Sequence, residues 1–330
     1  YIAYSQATRS LTRSVYDRLD AVSVLKEDDL TRWVDQQRLD LVFLAWQPDV
    51  QTQAGVLLGE TTSSANLQSA HDVLLSYLQF VVTSVSDSNE LFILDMKGQV
   101  ILSTLASHEG QSHASDLFFS QGQSATYVQP VYTSTETGQP TITVATPLFD
   151  NAKRRVGVLA AHLNLTRIDR ILLERTGLGN TGETYLVDPA YEFVSAAQLS
   201  NPQIGSGNIH SVGIDSALAG ADGQGLYANY QGTPVVGVYN WIDSLGTALM
   251  VEISQQEAFA PARQLALSIA EYGLLASLLL AGVAYWMARQ IARPILAITD
   301  TARRVAAGDL NQTAPVVTGD EVGMLARTFN

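Results

Sequence analysis

The segment that decides the fold of this chain is LALSIAEYGLLASLLLAGVAYWM, Leu265–Met287, followed directly by ARQIARPI, Ala288–Ile295. Its single charged residue is Glu271. A helix of about 20 apolar residues crosses the hydrocarbon core of a bilayer, so this segment predicts a transmembrane helix. The alternative is a buried core helix of a soluble protein, which rarely stays free of polar side chains over such a length.

The flanks of this segment predict where the membrane ends and in which direction the chain crosses it. Tyr285 and Trp286 suit the aromatic belt at a membrane surface. Arg263 is the nearest cation before the segment, whereas several follow it, at Arg289, Arg293, Arg303 and Arg304. Because loops rich in Arg and Lys stay in the cytoplasm, we predict a protein of the cell inner (plasma) membrane. Residues 1–260 are then periplasmic or extracellular, and the C-terminal side is cytoplasmic.

The composition of the whole chain excludes two broad classes of protein. Of its 330 residues, 46% are hydrophobic and 15% are charged, which is ordinary for a folded protein and unlike a disordered one. The net charge of −13 argues against nucleic acid as a partner, because phosphate binding requires clustered cations. Cysteine is absent, so no disulfide framework is expected.

A heptad pattern follows the apolar segment. Apolar residues recur at steps of four and three, at Ile291, Ile295, Ile298, Ala302 and Val305. This pattern is typical of a helix that packs against parallel partners. Pro294 falls inside it and removes a backbone donor, so we expect the helix to kink or to start afresh there. Gly308 is expected to end this helix, and a second one, DEVGMLARTFN, carries Val322, Leu325 and Phe329 on one stripe.

Residues 289–330 resemble the HAMP signal-relay domain, with a proline soon after the membrane, a first helix ending AAGDL, a connector, and a second helix opening DEVGMLARTFN. In that family, two protomers each contribute two helices to a parallel four-helix bundle. The resemblance therefore implies a homodimer, with the second helix truncated here. The alternative is a simple amphipathic juxtamembrane helix, which leaves the start of the second helix unexplained.

The part before the membrane segment predicts helices first and strands afterwards. Residues 1–47 predict a long amphipathic helix, and SSANLQSAHDVLLSYLQFVV predicts a second one. ELFILDMKGQVILST (Glu90–Thr104) and ETYLVDPAYEFVSAA (Glu183–Ala197) then share a Glu, an aromatic residue two positions on, and an Asp that opens a tight turn. Val-Gly-Val also repeats, at 156–158 and 236–238. We therefore predict two copies of a small antiparallel sheet after one long helix.

This arrangement resembles the double Cache sensor domain, in which two PAS-like modules follow a long N-terminal helix. The phrases that carry the resemblance are YVQPVYTSTETGQPTITVATPLFD, GLGNTGETYLVD and LGTALMVEISQQEAFAP. It implies an α+β fold with a sensor domain over residues 1–260, divided into a distal module near 48–175 and a proximal module near 176–256. The transmembrane helix at 265–287 and the HAMP domain at 289–330 complete the input half of a bacterial receptor. A first membrane helix is expected to precede this sequence.

The resemblance also implies where a ligand binds in the distal module. In double Cache receptors for amino acids, an Arg and an aromatic residue correspond to SDLFFS, a Tyr and an Asp to VYTS, and a further Asp to the end of VGVLAAH. The aromatic residues are kept in this sequence, whereas the charged ones are replaced. We predict a ligand-binding site formed by Asp116, Phe118, Phe119, Tyr132, Ser134 and His162.

The replaced residues change the predicted ligand. An α-amino acid requires a cation for its carboxylate, yet Asp116 stands where the Arg would be, and Ser134 and His162 replace the two Asp residues. We therefore expect a small extracellular molecule that is not a standard α-amino acid. Asp116 suits a cationic or hydroxyl-bearing ligand, and His162 suggests pH sensitivity.

A core-packing alternative stands beside this site. Phe118, Phe119 and His162 are then simply residues of the hydrophobic core. Strand alternation also places Tyr127 on the opposite face from Tyr132 unless Pro130 causes a bulge, so Tyr127 is left out of the predicted site.

Two motifs do not support a metal or a cofactor. GLGNTG has dinucleotide spacing, but a predicted helix precedes it and a strand follows, which is the reverse of what pyrophosphate binding requires. His108 and His113 lie in SHEGQSH, which predicts a solvated loop because no third ligand stands at a defined spacing. No catalytic motif is present. We expect no cofactor, no metal and no enzymatic activity within these residues.

The predicted function is therefore the ligand-sensing input half of a transmembrane receptor, which relays binding through the membrane helix and the HAMP domain to an output domain. A sensor histidine kinase of a two-component system is the favoured output. A methyl-accepting chemoreceptor or a nucleotide cyclase is the alternative. A membrane-anchored binding module that transmits no signal is an alternative of another class.

Overall fold

The computed structural model describes residues 2–59, 63–84, 87–134, 140–194 and 209–330, with side chains from residue 10 onward. The chain forms two compact units, one over Ser5–Phe259 and one over Ala260–Asn330 together with the first few residues. The fold is α+β, as predicted: helices surround two antiparallel sheets in the first unit, and the second unit is helical.

The first unit is built on α1, Ile2–Ala45, which is followed by α2, Pro48–Leu57, and α3, Ser64–Ser84. The predicted amphipathic face of α1 is present: Val15, Leu19 and Val22, at steps of four and three, are buried, and Leu11 is half-buried. They belong to one continuous core with apolar residues from both sheets. One face of each sheet therefore packs against the long helix α1.

The first sheet has five antiparallel strands in the order β2-β1-β5-β4-β3. Their bounds are β1 Ser88–Leu94, β2 Val100–Ser103, β3 Tyr127–Thr133, β4 Pro140–Phe149 and β5 Arg155–Leu163. The short helix α4, Leu117–Gly122, lies between β2 and β3 in the chain, and α5, Thr166–Leu173, follows β5. The turn between β1 and β2 closes on Asp95 as predicted, because its Oδ1 accepts from the N–H groups of Lys97 and Gln99 at 2.8 and 2.9 Å.

The second sheet has four antiparallel strands in the order β6-β9-β8-β7. Their bounds are β6 Glu183–Val187, β7 Gly223–Ala228, β8 Pro234–Ile242 and β9 Thr247–Ser254. Helix α6, Val212–Leu218, precedes β7, and α7, Gln255–Ala258, follows β9. Asp188 repeats the turn of Asp95, since its Oδ1 accepts from the N–H groups of Ala190 and Glu192 at 2.9 Å each.

The order of the strands corrects one part of the predicted repeat. In each sheet the first strand pairs with the last one, β1 with β5 and β6 with β9. Glu90 and Glu183 therefore occupy equivalent positions, as their shared motif predicted. The two Val-Gly-Val sequences do not, because the first lies in β5, the last strand of its sheet, and the second in β8, the strand before the last.

The second unit contains α8, Ala260–Met287, a π-helical turn at Ala288–Ala292, α9, Arg293–Ala306, and α10, Glu321–Phe329. The helical run Ala260–Ala306 has a mean hydropathy of 1.8 in its most apolar window, and 0% of that window is buried. It is long and apolar enough to cross a membrane, and it is not a buried core helix of this chain.

Pro294 is accommodated without ending the helix. A proline removes a backbone donor and crowds the carbonyl four residues earlier, and a π-turn is a known place for such a defect. The widened turn at Ala288–Ala292 lies directly before Pro294, so the predicted disturbance is present and the helix continues through it.

Helices α9 and α10 bury only part of their apolar residues within one chain. Ile298 packs against Ala314, Val322 and Ala326. Of the apolar stripe predicted for the second helix, Val322 packs within the chain, whereas Leu325 and Phe329 are 55% and 40% exposed. Asp320 begins α10, where its Oδ1 accepts from the N–H groups of Val322 and Gly323.

Candidate functional site

A chain of polar side chains crosses one face of the first sheet. Glu90 and Thr143 both stand directly opposite His162 in the strand register, so all three share this face. Tyr132 Oη and Thr143 Oγ1 share a hydrogen bond of 2.7 Å, and Thr143 Oγ1 and His162 Nδ1 share one of 2.8 Å. His162 Nε2 lies 3.9 Å from Glu90 Oε2. Thr143 thus joins two predicted site residues, Tyr132 and His162, although no motif in the sequence marks Thr143 itself.

Tyr132 reaches this face because β3 contains a bulge. Its register against β4 runs from Gln129 opposite Thr143 to Tyr132 opposite Thr141, which leaves one extra residue at Pro130 and Val131. Pro130 has no N–H to donate, and the N–H of Val131 donates instead to the carbonyl of Leu245, 3.0 Å away in the second sheet's β8–β9 turn.

The bulge also corrects the treatment of Tyr127. Tyr127 stands opposite Ala145 and therefore lies on the same face as Tyr132, contrary to the prediction for an unbulged strand. It packs half-buried against the cluster of Phe92, Phe118 and Ala145. Strand alternation therefore gives no reason to leave Tyr127 out of the predicted site.

Aromatic rings form the wall beside His162. Phe118 and Phe119 of α4 are buried, 1% and 3% exposed. The ring of His162 lies 4.7 Å from that of Phe92 and 6.1 Å from that of Phe118. Helix α4 is held in place because the Phe118 N–H donates to Gln129 Oε1 at 2.9 Å. Both phenylalanines are core residues by burial, and Phe118 also contacts the predicted site.

The predicted solvated loop around His108 and His113 is instead packed against this face. His108 Nδ1 lies 2.7 Å from Glu90 Oε1, and its side chain is 12% exposed. The hydroxyl of Ser103 donates to the same carboxylate oxygen at 2.5 Å. Glu90 itself is 1% exposed. The prediction of a solvated loop is wrong because the turn after β2 folds back over Glu90.

The remaining two predicted residues lie at the border of the site. Asp116 precedes α4, and its Oδ2 is 2.6 Å from Nδ1 of His113, whose side chain is 10% exposed. The Asp116 side chain is 41% exposed. Ser134 follows the last residue of β3 and is half-buried.

His162 is a neutral side chain at ordinary pH. Burial lowers its pKa to about 3, and repulsion by the imidazoles of His108 and His113 adds to this. A neutral imidazole has one donor and one acceptor nitrogen, which suits the contacts with Thr143 and Glu90. The expected pH sensitivity of His162 therefore lies far below the physiological range.

The second sheet carries a buried acidic pair at the equivalent positions. Glu183 stands directly opposite Glu252 in the register, and Glu252 is 0% exposed. Both Glu252 oxygens lack a hydrogen bond of standard geometry among the described residues, as do the hydroxyls of Tyr185 and Tyr227. Burial raises the pKa of Glu252 to about 7, with repulsion by Glu183 adding to it and the nearby Tyr227 hydroxyl opposing it. No pattern in the sequence marks Glu252 as a buried acid.

The backbone donors of the GLGNTG loop are engaged within the chain. The N–H groups of Asn180 and Thr181 donate to the two carboxylate oxygens of Glu257 at 2.8 and 2.7 Å. A side chain at Gly179 would collide with that carboxylate, since its Cβ would lie 2.4 Å from Glu257 Oε1. The loop thus binds an anion, and this anion is a glutamate at the start of α7.

Comparison with known families supports the organisation described above. Residues 3–262 match the family model of the Cache domain, and residues 286–330 match that of the HAMP domain. The chain belongs to the Cache family. No curated protein gives a significant match to it.

Solved structures similar to this Cache sensor belong to bacterial receptors. The ligand-binding domain of the Campylobacter jejuni chemoreceptor Tlp3, in complex with L-norvaline, is 12% identical, with a TM-score of 0.53, over 76% of this chain and 94% of that one. The sensor domain of the V. cholerae histidine kinase DctB is 14% identical, with a TM-score of 0.53, over 75% of this chain and 98% of that one. At such low identity, these similarities establish a shared fold.

The order of domains then gives the general function. A Cache sensor joined by a candidate membrane helix to a HAMP domain is the arrangement of a transmembrane sensory receptor of the inner membrane. Neither of these domains is catalytic.

Proposed function

We propose that this chain is the ligand-sensing input half of its receptor, and that a small molecule binds at the polar face of the first sheet. The observation that carries this proposal is the hydrogen-bonded chain of Tyr132, Thr143 and His162, which the β3 bulge and the wall of Phe118 hold together. Such a mixture of aromatic walls and a few placed polar groups is typical of small-molecule sites.

The charges of the site favour a cationic or hydroxyl-bearing ligand. Among the described side chains of this face, the ionisable groups are carboxylates and imidazoles, with Glu90 buried at the centre. A ligand carboxylate would find no arginine or lysine among them to pair with. The ligand therefore differs in class from the L-norvaline in the Tlp3 structure.

The receptor is proposed to work as a homodimer with its sensor outside the cell. The arginines after α8 favour a cytoplasmic HAMP domain. Ile291 and Ile295 of the heptad seam remain 46% and 43% exposed in one chain, which fits a helix seam that a second copy covers. Binding then shifts the population between two packings of the bundle.

A histidine kinase is the proposed output, with a chemoreceptor stalk or a nucleotide cyclase as the alternative. The kinase is favoured by the general frequency of this domain order. The output type does not alter how the sensor is tested, because HAMP domains relay to all three.

The proposal is tested with a chimera. The chain is joined after Asn330 to the kinase core of a well-characterised HAMP receptor, and a transcriptional reporter is measured in cells exposed to defined amines, polyols, metal salts and amino acids. We expect a response to at least one cationic or hydroxyl-bearing compound, reduced at least tenfold in sensitivity by Tyr132→Phe. The matched control is Tyr239→Phe, in β8 of the second sheet, which should respond like the parent chimera. A response that survives Tyr132→Phe and is lost in Tyr239→Phe would place the ligand elsewhere.

A further inference from the structure

Three side chains on the polar face bring metal-ligand atoms together. Ligand atoms of Glu90, His108 and His162 all lie within 4.8 Å of one another. The turn after β2 supplies His108, and the paired strands β1 and β5 supply the other two. One carboxylate and two imidazoles form a donor set that suits zinc and related first-row divalent ions.

The distances between these ligand atoms can be compared with those in a tetrahedral zinc site. Zinc lies about 2.0–2.2 Å from nitrogen and oxygen ligands, so two ligand atoms of a tetrahedral site are roughly 3.4 Å apart. The separation of His108 Nδ1 from Glu90 Oε1 is shorter, at 2.7 Å, and that of His162 Nε2 from Glu90 Oε2 is longer, at 3.9 Å. The three ligand atoms lie within 4.8 Å of one another, so an ion between them requires shifts of up to about 1.4 Å in these separations, through rotation of the carboxylate and of the imidazole side chains.

The surroundings of the three residues are those of a built site. Glu90 is 1% exposed, and the side chains of His108 and His162 are 12% and 13% exposed. His162 faces the cluster through Nε2, and Thr143 holds its other nitrogen. Metal-binding histidines almost always use their second nitrogen in such an outer hydrogen bond, which fixes the orientation of the ring. Ser103 holds the carboxylate of Glu90 in the same way.

We infer that Glu90, His108 and His162 bind a first-row divalent metal ion, with Zn²⁺ as the best-suited one, and that this ion is the cationic ligand of the sensor. The inference rests on the proposed function, since it assigns the ligand class of the same site. Three protein ligands leave one coordination position for water or for a ligand atom of a second molecule.

The ion would also change the hydrogen bonds that lead to Tyr132. When Nε2 of His162 ligates the metal, Nδ1 carries the proton and donates to Thr143 Oγ1. The hydroxyl of Thr143 is then directed towards Tyr132 Oη. Metal binding would therefore alter a hydrogen bond made by Tyr132 of β3. In the same strand, the Val131 N–H donates to the carbonyl of Leu245 in the β8–β9 turn of the second sheet. Thr143 is in this respect a positioning residue.

The inference is tested by metal binding to the whole chain in detergent, freed of any polyhistidine tag and stripped with a chelator. Zn²⁺ is titrated at pH 7.5 in competition with a chromophoric chelator. We expect one ion per chain that excess Mg²⁺ does not displace, since Mg²⁺ prefers oxygen ligands. His162→Asn keeps a polar atom towards Thr143 and removes Nε2, and His108→Gln removes Nδ1. Each should weaken Zn²⁺ binding by about 100-fold, and Glu90→Gln by about 10-fold or more.

The matched control is His210→Ala. His210 has a 53% exposed side chain and pairs with Asp215 in the second module, so its removal should leave Zn²⁺ affinity unchanged. Thermal unfolding without metal shows whether each variant is folded. Should a variant fail to fold, the visible absorption of Co²⁺ in the unaltered chain gives the result instead, because four-coordinate Co²⁺ has a much more intense ligand-field band than six-coordinate, hydrated Co²⁺.

The outcomes separate this inference from the proposed function. Absence of Zn²⁺ binding, or equal binding by the His162→Asn and His108→Gln variants, overturns the metal inference even if the chimera responds to an organic compound through Tyr132. Tight Zn²⁺ binding through all three residues, with a chimera that responds to nothing, supports the metal site and overturns the sensing role.

Discussion

Glu252 is a buried acid whose ionisation costs free energy in the folded chain. Its pKa is raised from 4.5 to about 7, so the folded state holds the proton more tightly than the unfolded state does. The contribution of Glu252 to stability is therefore fully present below pH 4.5 and is lost as the pH rises to about 7. A change of this size corresponds to about 3 kcal/mol at most.

Glu252→Gln is accordingly expected to stabilise the chain at pH 8 and to change little at pH 4.5. The amide keeps the shape of the side chain and cannot ionise. The measurement is the thermal unfolding midpoint of the detergent-solubilised chain and its variant across this pH range. A variant that is less stable than the parent at pH 8 would contradict the assignment.

Glu257 is the control with the opposite sign. Its pKa is lowered, first by the Asn180 N–H and then by the Thr181 hydroxyl, so its stabilising effect is present above the unfolded pKa and lost as the pH falls. Glu257→Gln should therefore lower the unfolding midpoint at pH 8, where Glu252→Gln raises it. Equal responses of both variants would point to net charge as the cause.

Two residues of the predicted site lie together in the structure, and the sequence carried a signal for both. His162 and Tyr132 were predicted because a family resemblance marks their positions, and the structure places both on one face. Glu90 carried a signal as well, since it heads the motif that the two modules share. Its role depends on His108 and His162, however, and contacts between residues far apart in sequence cannot be read from strand alternation.

At the scale of elements, the sequence predicted the helices and the sheets well, but it did not predict their local irregularities. The long helix, both sheets and the membrane segment follow from hydrophobic periodicity and length. The β3 bulge does not, because Pro130 permits a bulge without requiring one. The hydrogen bond from the Val131 N–H to the Leu245 carbonyl stabilises the bulge. This hydrogen bond can form only when both sheets are packed on α1.

The π-turn before Pro294 sets the phase between the membrane helix and α9. A π-turn holds one more residue than an α-turn, and one residue corresponds to about 100° of rotation. In Pro294→Ala, the restored N–H favours a regular helix with the carbonyl of Gln290 as its acceptor. We expect the faces of α8 and α9 to rotate relative to each other by about this angle.

The rotation is measured by disulfide formation, because the chain has no cysteine of its own. Single cysteines at Leu278, Leu279 and Leu280 report which face of α8 meets its partner in the membrane. The position of strongest crosslinking should move by one residue in Pro294→Ala. Pro261→Ala is the control, since Pro261 lies in the first turn of α8, where proline costs little. An unchanged pattern would show that the π-turn does not depend on Pro294.

At the scale of the whole molecule, the sensor is best understood as two unequal copies of one module. Equivalent strand positions hold Glu90 opposite His162 in the first sheet and Glu183 opposite Glu252 in the second. Among the described side chains, imidazoles lie beside the acid of the first copy and not beside that of the second, so the copies differ in the ligands they suit. Sequence repetition revealed the two copies, and the order of the strands was needed to align them correctly.

Dimerisation is a prediction at this scale. Ile295 lies on the heptad seam and is 43% exposed, whereas Ile298 is buried within one chain and is a poor reporter. Ile295→Cys should form symmetric disulfides in membranes, because a parallel bundle brings the two copies of this residue together. Asp300→Cys, on the outer side of the same helix, should crosslink weakly. Equal, weak crosslinking of both would favour the rival in which the chain is a membrane-anchored binding module.

The bulge at Pro130 has a consequence for solubility. β3 is an outer strand of its sheet, and an outer strand with free backbone donors invites strands from other molecules to add to it. In this strand, one donor is missing at Pro130 and the next, at Val131, is already bonded to Leu245. The bulge that turns Tyr132 towards the site therefore also protects the sensor from edge-to-edge aggregation. A regular β3 would expose backbone donors with which strands of other molecules could pair.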